Sequence, residues 1–225
     1  MKVRLIGLAV AAVACAAGAE NQVWIDGSAD NVWSTNAANW DAGSVWTNGN
    51  SAVFSGAGGT VLGETIDIAA TVTVANVTFL TNNYVIADTN ADGSLSFVGG
   101  PSVIAVSHAS DTAIIGAAIR GGGFTKTGPG TLQLKGTNTY TGVTTVSAGT
   151  LKLNFNTPDA LGAVGTGNHT VVADGATLDF NGCYVQVVNS TFFGRDEDLI
   201  VSGSGVGGLG ALVNSGANIV NNGFR

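Results

Sequence analysis

The densest ionisable group in the sequence is Arg195-Asp196-Glu197-Asp198. Paired carboxylates about 5–9 Å apart are what sugar cleavage uses, one as acid and one as base or nucleophile. In extended chain only Asp196 and Asp198 would project together. No Asp, Lys or Arg recurs at a regular spacing to build a cleft around them, so the stretch reads as a solvated loop. "DTNADGSLSFVG" (88–99) sets Asp88, Asn90, Asp92 and Gly93 at the first, third, fifth and sixth places of a calcium loop. Its twelfth place holds Gly99 where a bidentate Glu is required, and Asp92-Gly93 equally writes a tight turn. His108 and His169 lack partners at metal-ligand spacing, and no Ser-His-Asp set can be assembled. "GSGVGG" (203–208) has no helix written after it, and "GFTKTG" lacks the Gly-Lys-Ser/Thr of a phosphate loop. The expectation is no catalytic residue, no metal site, no cofactor and no enzyme.

Aromatic residues give a second kind of candidate. All four tryptophans, Trp24, Trp33, Trp40 and Trp46, fall in one short N-terminal stretch. Indoles can stack on pyranose faces as a glycan contact, or they can cover the apolar end of a repeating structure as a cap.

The elements that must position these residues are strands. "TVTVANVTF" (71–79), "SLSF" (94–97), "TLQL" (131–134), "TLKL" (150–153) and "TVVADGATLDF" (170–180) alternate with period two, are rich in Thr and Val, and are punctuated by Gly, Asn and Asp. Ala113–Ile119 could pass for a helix by propensity but is short and bounded by glycine. From Gly130 the alternate positions read Gly130, Leu132, Leu134, Gly136, Asn138, Tyr140, Gly142, Thr144, Val146. The phase slips at Ser147-Ala148 and resumes as Gly149, Leu151, Leu153. A one-residue slip turns every later side chain around, so it belongs at a corner. Gly136, Gly142 and Gly149 mark further corners, where positive φ is expected.

Leu132 and Leu151 are 19 residues apart. A chain of short strands and corners repeating on that cycle coils, each turn stacked on the last at about 4.8 Å. Leu151 should lie above Leu132, and Leu153 above Leu134, with Gln133 and Lys152 facing out. Weaker echoes at "GSLSF" (93–97) and "GATLDF" (175–180) imply one skipped turn and one turn enlarged by a loop. The expected fold is all-β, a right-handed parallel β-solenoid (β-helix) with an N-terminal aromatic-rich cap and a truncated C-terminal end.

Composition sets outer limits. The chain has 225 residues, 45% of them hydrophobic and only 10% charged, against about 25% charged in an ordinary soluble domain. Lys2 and Arg4 precede the apolar run Leu5–Ala17, and Ala17-Gly18-Ala19 forms a cleavage-type site. Cys15 after Ala12-Val13-Ala14 admits a lipid-modified alternative. Removing Lys2 and Arg4 with the leader takes the formal charge from −7 to −9, which argues against nucleic acid and anionic lipid. Cys183 is then the only cysteine, and no later run is long enough for a transmembrane segment.

The run "GGGFTKTGPGTLQLKGTNTYTGVTTVSAGTLKL" (121–153) resembles the autotransporter-associated β-strand repeat, also called the passenger-associated transport repeat. The resemblance rests on Gly122-Gly123, Lys126, Gly128, Thr131, Leu132, Leu134, Gly136, Asn138, Tyr140, Gly142, Thr144, Gly149, Leu151 and Leu153. Residues 23–56 are similar to the start of many such passengers, and 203–225 resembles the beginning of a second unit. The resulting division is a signal peptide at 1–19, a cap region at 20–60, and a solenoid at 61–225 containing the repeat and a second unit from about 201. The resemblance implies a non-catalytic segment displayed or released at the surface of a Gram-negative-type bacterium, with the repeat assisting passage and folding. An adhesin binding glycan through Trp24–Trp46 or an outer strand face is the alternative, and a polysaccharide lyase or hydrolase a third. Partners would be a surface glycan or neighbouring cell-surface material, plus a missing C-terminal translocator or sorting tail.

Overall fold

The computed structural model describes residues 19–25, 30–56, 65–154, 157, 159–182 and 198–216. Among these, helical structure is limited to single turns at Asp41–Gly43 and Val206–Gly208. No helix among the described residues is long and apolar enough to cross a membrane. Among the described residues consecutive strands do not pair. Each instead lies parallel beside a strand one coil away, which builds sheets of eight, eight and three strands.

The first sheet stacks Asn21–Val23, Ser51–Phe54, Val77–Phe79, Ser102–Val106, Phe124–Thr127, Thr144–Val146, Thr170–Val172 and Leu199–Val201. The second stacks Val32–Trp33, Thr65–Ile68, Val85–Ala87, Thr112–Ile115, Thr131–Leu134, Thr150–Lys152, Thr177–Asp179 and Leu212–Val213. The third holds Thr71–Val74, Ser94–Phe97 and Ile119–Gly121. Its face continues as extended chain, because the amides of Thr139 and Thr141 donate to the carbonyls of Ile119 and Gly121 at 2.9 Å each. The protein is a parallel β-solenoid.

Period-two alternation fills its interior. Leu132 and Leu151 are direct register partners, in a buried column that runs Ala113, Leu132, Leu151, Leu178. A second buried column runs Ile66, Ile86, Ile115, Leu134. A third, on the first sheet, reads Val77, Ile104, Lys126, Val146, Val172. The enlarged turn is confirmed, since Leu178 stacks on Leu151.

Two expectations need correction. Leu95 is not a turn of the Leu132 column. It belongs to the third sheet, below Ile119, while the neighbour of Leu132 is Ala113. The same alternation suits any inward-facing side of the coil, so it cannot say which side a strand occupies. Gly142 and Gly149 do have positive φ, 96° and 65°, but Gly136 does not. Gly136 is needed for close approach instead, because a Cβ there would sit 2.4 Å from the carbonyl oxygen of Ala117.

Candidate functional site

The repeat at 121–153 combines an apolar interior with polar staples at its corners. Leu132, Leu134, Leu151, Leu153 and Tyr140 are buried. Asn138, 2% exposed, ties three layers together. Its Oδ1 accepts from the Ile119 amide at 2.8 Å, and its Nδ2 donates to the Ala160 carbonyl at 2.7 Å. The Tyr140 hydroxyl lies 2.7 Å from Thr144 Oγ1, closing the next bend. A corner interrupts the strand ladder, and its buried amides and carbonyls need other partners. The Asn138 side-chain amide, at an inward position, supplies them here.

Lys126 is the least expected member of the set, being fully buried between Ile104 and Val146. Its ammonium donates to the carbonyls of Thr127, Gly128 and Ala148 at 2.9, 2.8 and 3.1 Å. It thereby bridges two successive coils at the corner where the first sheet turns into the second. Burial pushes its pKa down to about 8. Phe124 and Lys126 share the inward face of their strand, Thr125 and Thr127 the outward one.

At the N-terminal end, Trp24, Trp33, Trp40 and Trp46 are 0, 0, 0 and 2% exposed. Their rings interlock, with Trp40 centred 5.2, 5.0 and 4.6 Å from Trp24, Trp33 and Trp46. Phe54 carries the cluster into the core, 5.2 Å from both Phe79 and Tyr84. Trp46 Nε1 donates to the Thr73 carbonyl at 3.3 Å. The indole nitrogens of Trp24, Trp33 and Trp40 are buried without a hydrogen-bond partner among the described residues. None of these rings offers a face to solvent in this arrangement.

The outer face of the second sheet carries what sequence reading missed. Register places Thr112, Thr131, Thr150 and Thr177 in one column and Gln133, Lys152 and Asp179 in the next but one residue along. Lys152 Nζ is 3.5 Å from Asp179 Oδ2 and 3.1 Å from Ser215 Oγ. Burial raises the Asp179 pKa, but hydrogen bonds from Ser215 Oγ (2.6 Å) and the amides of Ser215 and Asn181, with the Lys152 charge, bring it below its ordinary value. These columns floor an open groove of about 410 Å³, walled by Leu209, Val213 and Ser215. The 27-residue separation of Lys152 and Asp179 hid this neighbourhood from any local motif.

The remaining candidates resolve simply. Asp88 Oδ1 accepts from the amides of Asp92 and Gly93 at 3.1 Å each, which is a turn. No group of three metal-binding side chains occurs among the described residues. His108 Nδ1 lies 3.1 Å from Asp111 Oδ2 and is otherwise largely exposed. His169 contributes its carbonyl to the Thr144 amide at 3.0 Å. Asp198 is exposed and its carbonyl accepts from the Thr170 amide at 2.9 Å, while Asp196, Glu197 and Cys183 lie outside the described residues.

Comparison with known proteins gives two findings. The profile of the Passenger-associated-transport-repeat family matches residues 124–153. Over 224 residues the chain is 28% identical to the Adhesin BmaC autotransporter of Brucella suis biovar 1 (strain 1330), an alignment covering 93% of this chain and 6% of that protein. The chain thus spans a small fraction of the relative's length. No solved structure matches.

Proposed function

We propose, from the premise that this chain is an autotransporter-associated repeat protein, that it serves as a passenger stalk at the bacterial surface and that its repeat assists its own folding. One observation carries the reading: the residues of the repeat are those that join coil to coil. Leu132 stacks on Leu151, Asn138 spans three layers and Lys126 spans two. Each completed coil therefore presents a template for the next, and a chain emerging through a pore can add layers in order. Eight strands at about 4.8 Å spacing give a rod about 34 Å long for the first sheet.

In this reading the chain is not an enzyme, residues 1–19 are a cleaved leader, and the Trp24–Trp46 end covers the first coil. Adhesion is the second reading, supported by the name of the relative. It would fall to the outer sheet faces, since the tryptophans are buried.

The test is display ahead of a β-barrel translocator, with protease sensitivity scored on intact cells. The wild-type chain should reach the surface protease-resistant. Leu132→Asp with Leu151→Asp should arrive digested or stall. Equal resistance of both chains would remove the self-templating role.

A further inference from the structure

We propose that the groove on the outer face of the second sheet is a binding site for a linear, uncharged polysaccharide lying along the solenoid axis. This goes beyond the stalk reading and does not depend on it. The groove starts where the chain already demonstrates its chemistry. Thr177 Oγ1 donates to the Gly210 carbonyl at 3.0 Å and accepts from the Val206 amide at 2.9 Å. One threonine hydroxyl thus holds a donor and an acceptor of an overlying chain at once. Continuous with this contact, Thr150, Thr131 and Thr112 repeat the same hydroxyl on three successive coils, half-buried and within the groove.

The occupant follows from the repeat distance and the chemistry. The hydroxyls of Thr112, Thr131 and Thr150 recur about every 4.8 Å, perpendicular to the strands, over about 10 Å. An extended peptide repeats its donor and acceptor every two residues, at about 6.7 Å, and loses register after one coil. An extended pyranose chain advances by roughly one coil spacing per sugar and offers hydroxyls that donate and accept, as threonine does. Gln133 adds an amide on the same face, and Lys152 an ammonium whose charge Asp179 offsets. Leu209, 85% exposed on the wall, supplies an apolar edge for the sugar's C–H face. The volume, about 410 Å³, lies within the usual range for ligand sites of about 300–1,000 Å³.

Isothermal titration of the whole chain with cello-, xylo-, manno- and chito-hexaose should show saturable binding of at least one. Thr131→Val with Thr150→Val removes two hydroxyls while keeping β-branched strand residues, and should weaken that binding at least tenfold. Thr125→Val with Thr145→Val, register partners on the first sheet, should leave it unchanged. Should the first pair alter the far-UV circular dichroism, Gln133→Ala with Leu209→Ala takes its place, with the same loss expected. Absence of binding to all four sugars, equal loss in both threonine pairs, or preference for an extended Gly/Ser/Thr peptide would each overturn the proposal. The stalk reading survives any of those outcomes, since its own test reads protease sensitivity on intact cells.

Discussion

Lys126→Met separates the two consequences of burying an ammonium. Methionine keeps the unbranched shape between Ile104 and Val146 but donates to none of the three carbonyls that Lys126 joins. A buried carbonyl left without a donor costs about 1–3 kcal/mol, and that loss opposes the gain from removing a desolvated charge. The charge effect has a definite pH signature. The folded pKa is about 8 against 10.5 for the free side chain. Between those values the unfolded chain holds a proton that the folded chain has released, so stability rises with pH. Working the linkage through, wild type gains about 2 kcal/mol from this group between pH 7 and 9.5, and Lys126→Met gains nothing from it. The destabilisation caused by Lys126→Met should therefore be larger at pH 9.5 than at pH 7 by about 2 kcal/mol. Urea denaturation followed by far-UV circular dichroism measures this. Taking the difference between the two proteins cancels tyrosine and cysteine titration. A difference that stays constant with pH, or shrinks as pH rises, refutes the placement of Lys126 inside the coil.

Other perturbations follow from the same contacts. Leu132→Ala or Leu151→Ala opens the stacked column and should cost about 2–5 kcal/mol in chemical denaturation. Asn138→Ala leaves the Ile119 amide and Ala160 carbonyl without partners, and a loss of about 2–4 kcal/mol is expected, with Asn138→Asp unable to restore the donor to Ala160. Tryptophan emission should be blue-shifted and resistant to acrylamide, and unaltered by any oligosaccharide, because all four rings are buried. Asp179→Asn should remove a stabilisation that is intact above the ordinary carboxylate pKa and fades as pH falls below it, which denaturation between pH 6 and 3 would read.

Legibility followed locality. The 19-residue leucine cycle was readable because consecutive coils at Leu132 and Leu151 have no insertion between them. The inward set from Gly130 to Tyr140 was readable because every second residue is buried. Sheet membership was not, as Leu95 shows, since three sides of the coil impose one pattern. The burial of Lys126 was not legible, because nothing local in the sequence shows that three carbonyls meet at that corner to host an ammonium. The pairing of Lys152 with Asp179 needed the register across an enlarged turn, which only the fold supplies.

The placement of polar side chains has a consequence for how such a rod is made. On the flat sides, backbone groups pair with the neighbouring coil, and any β-branched or apolar residue will serve. At the corners they cannot all do so, and Asn76 and Asn138 take over. Asn76 donates to Ser51 Oγ at 3.1 Å and accepts from the Val103 amide at 2.9 Å; Asn138 does the equivalent two coils on. Each asparagine is satisfied only when a coil lies on both sides of it. The advancing edge of a growing solenoid therefore carries an unfilled acceptor or donor at its corner, which the next coil completes and a misregistered coil does not. Leucine columns supply most of the burial but tolerate sliding between similar side chains. Register is thus set at the corners, where hydrogen bonding, rather than apolar area, distinguishes the right neighbour from the wrong one.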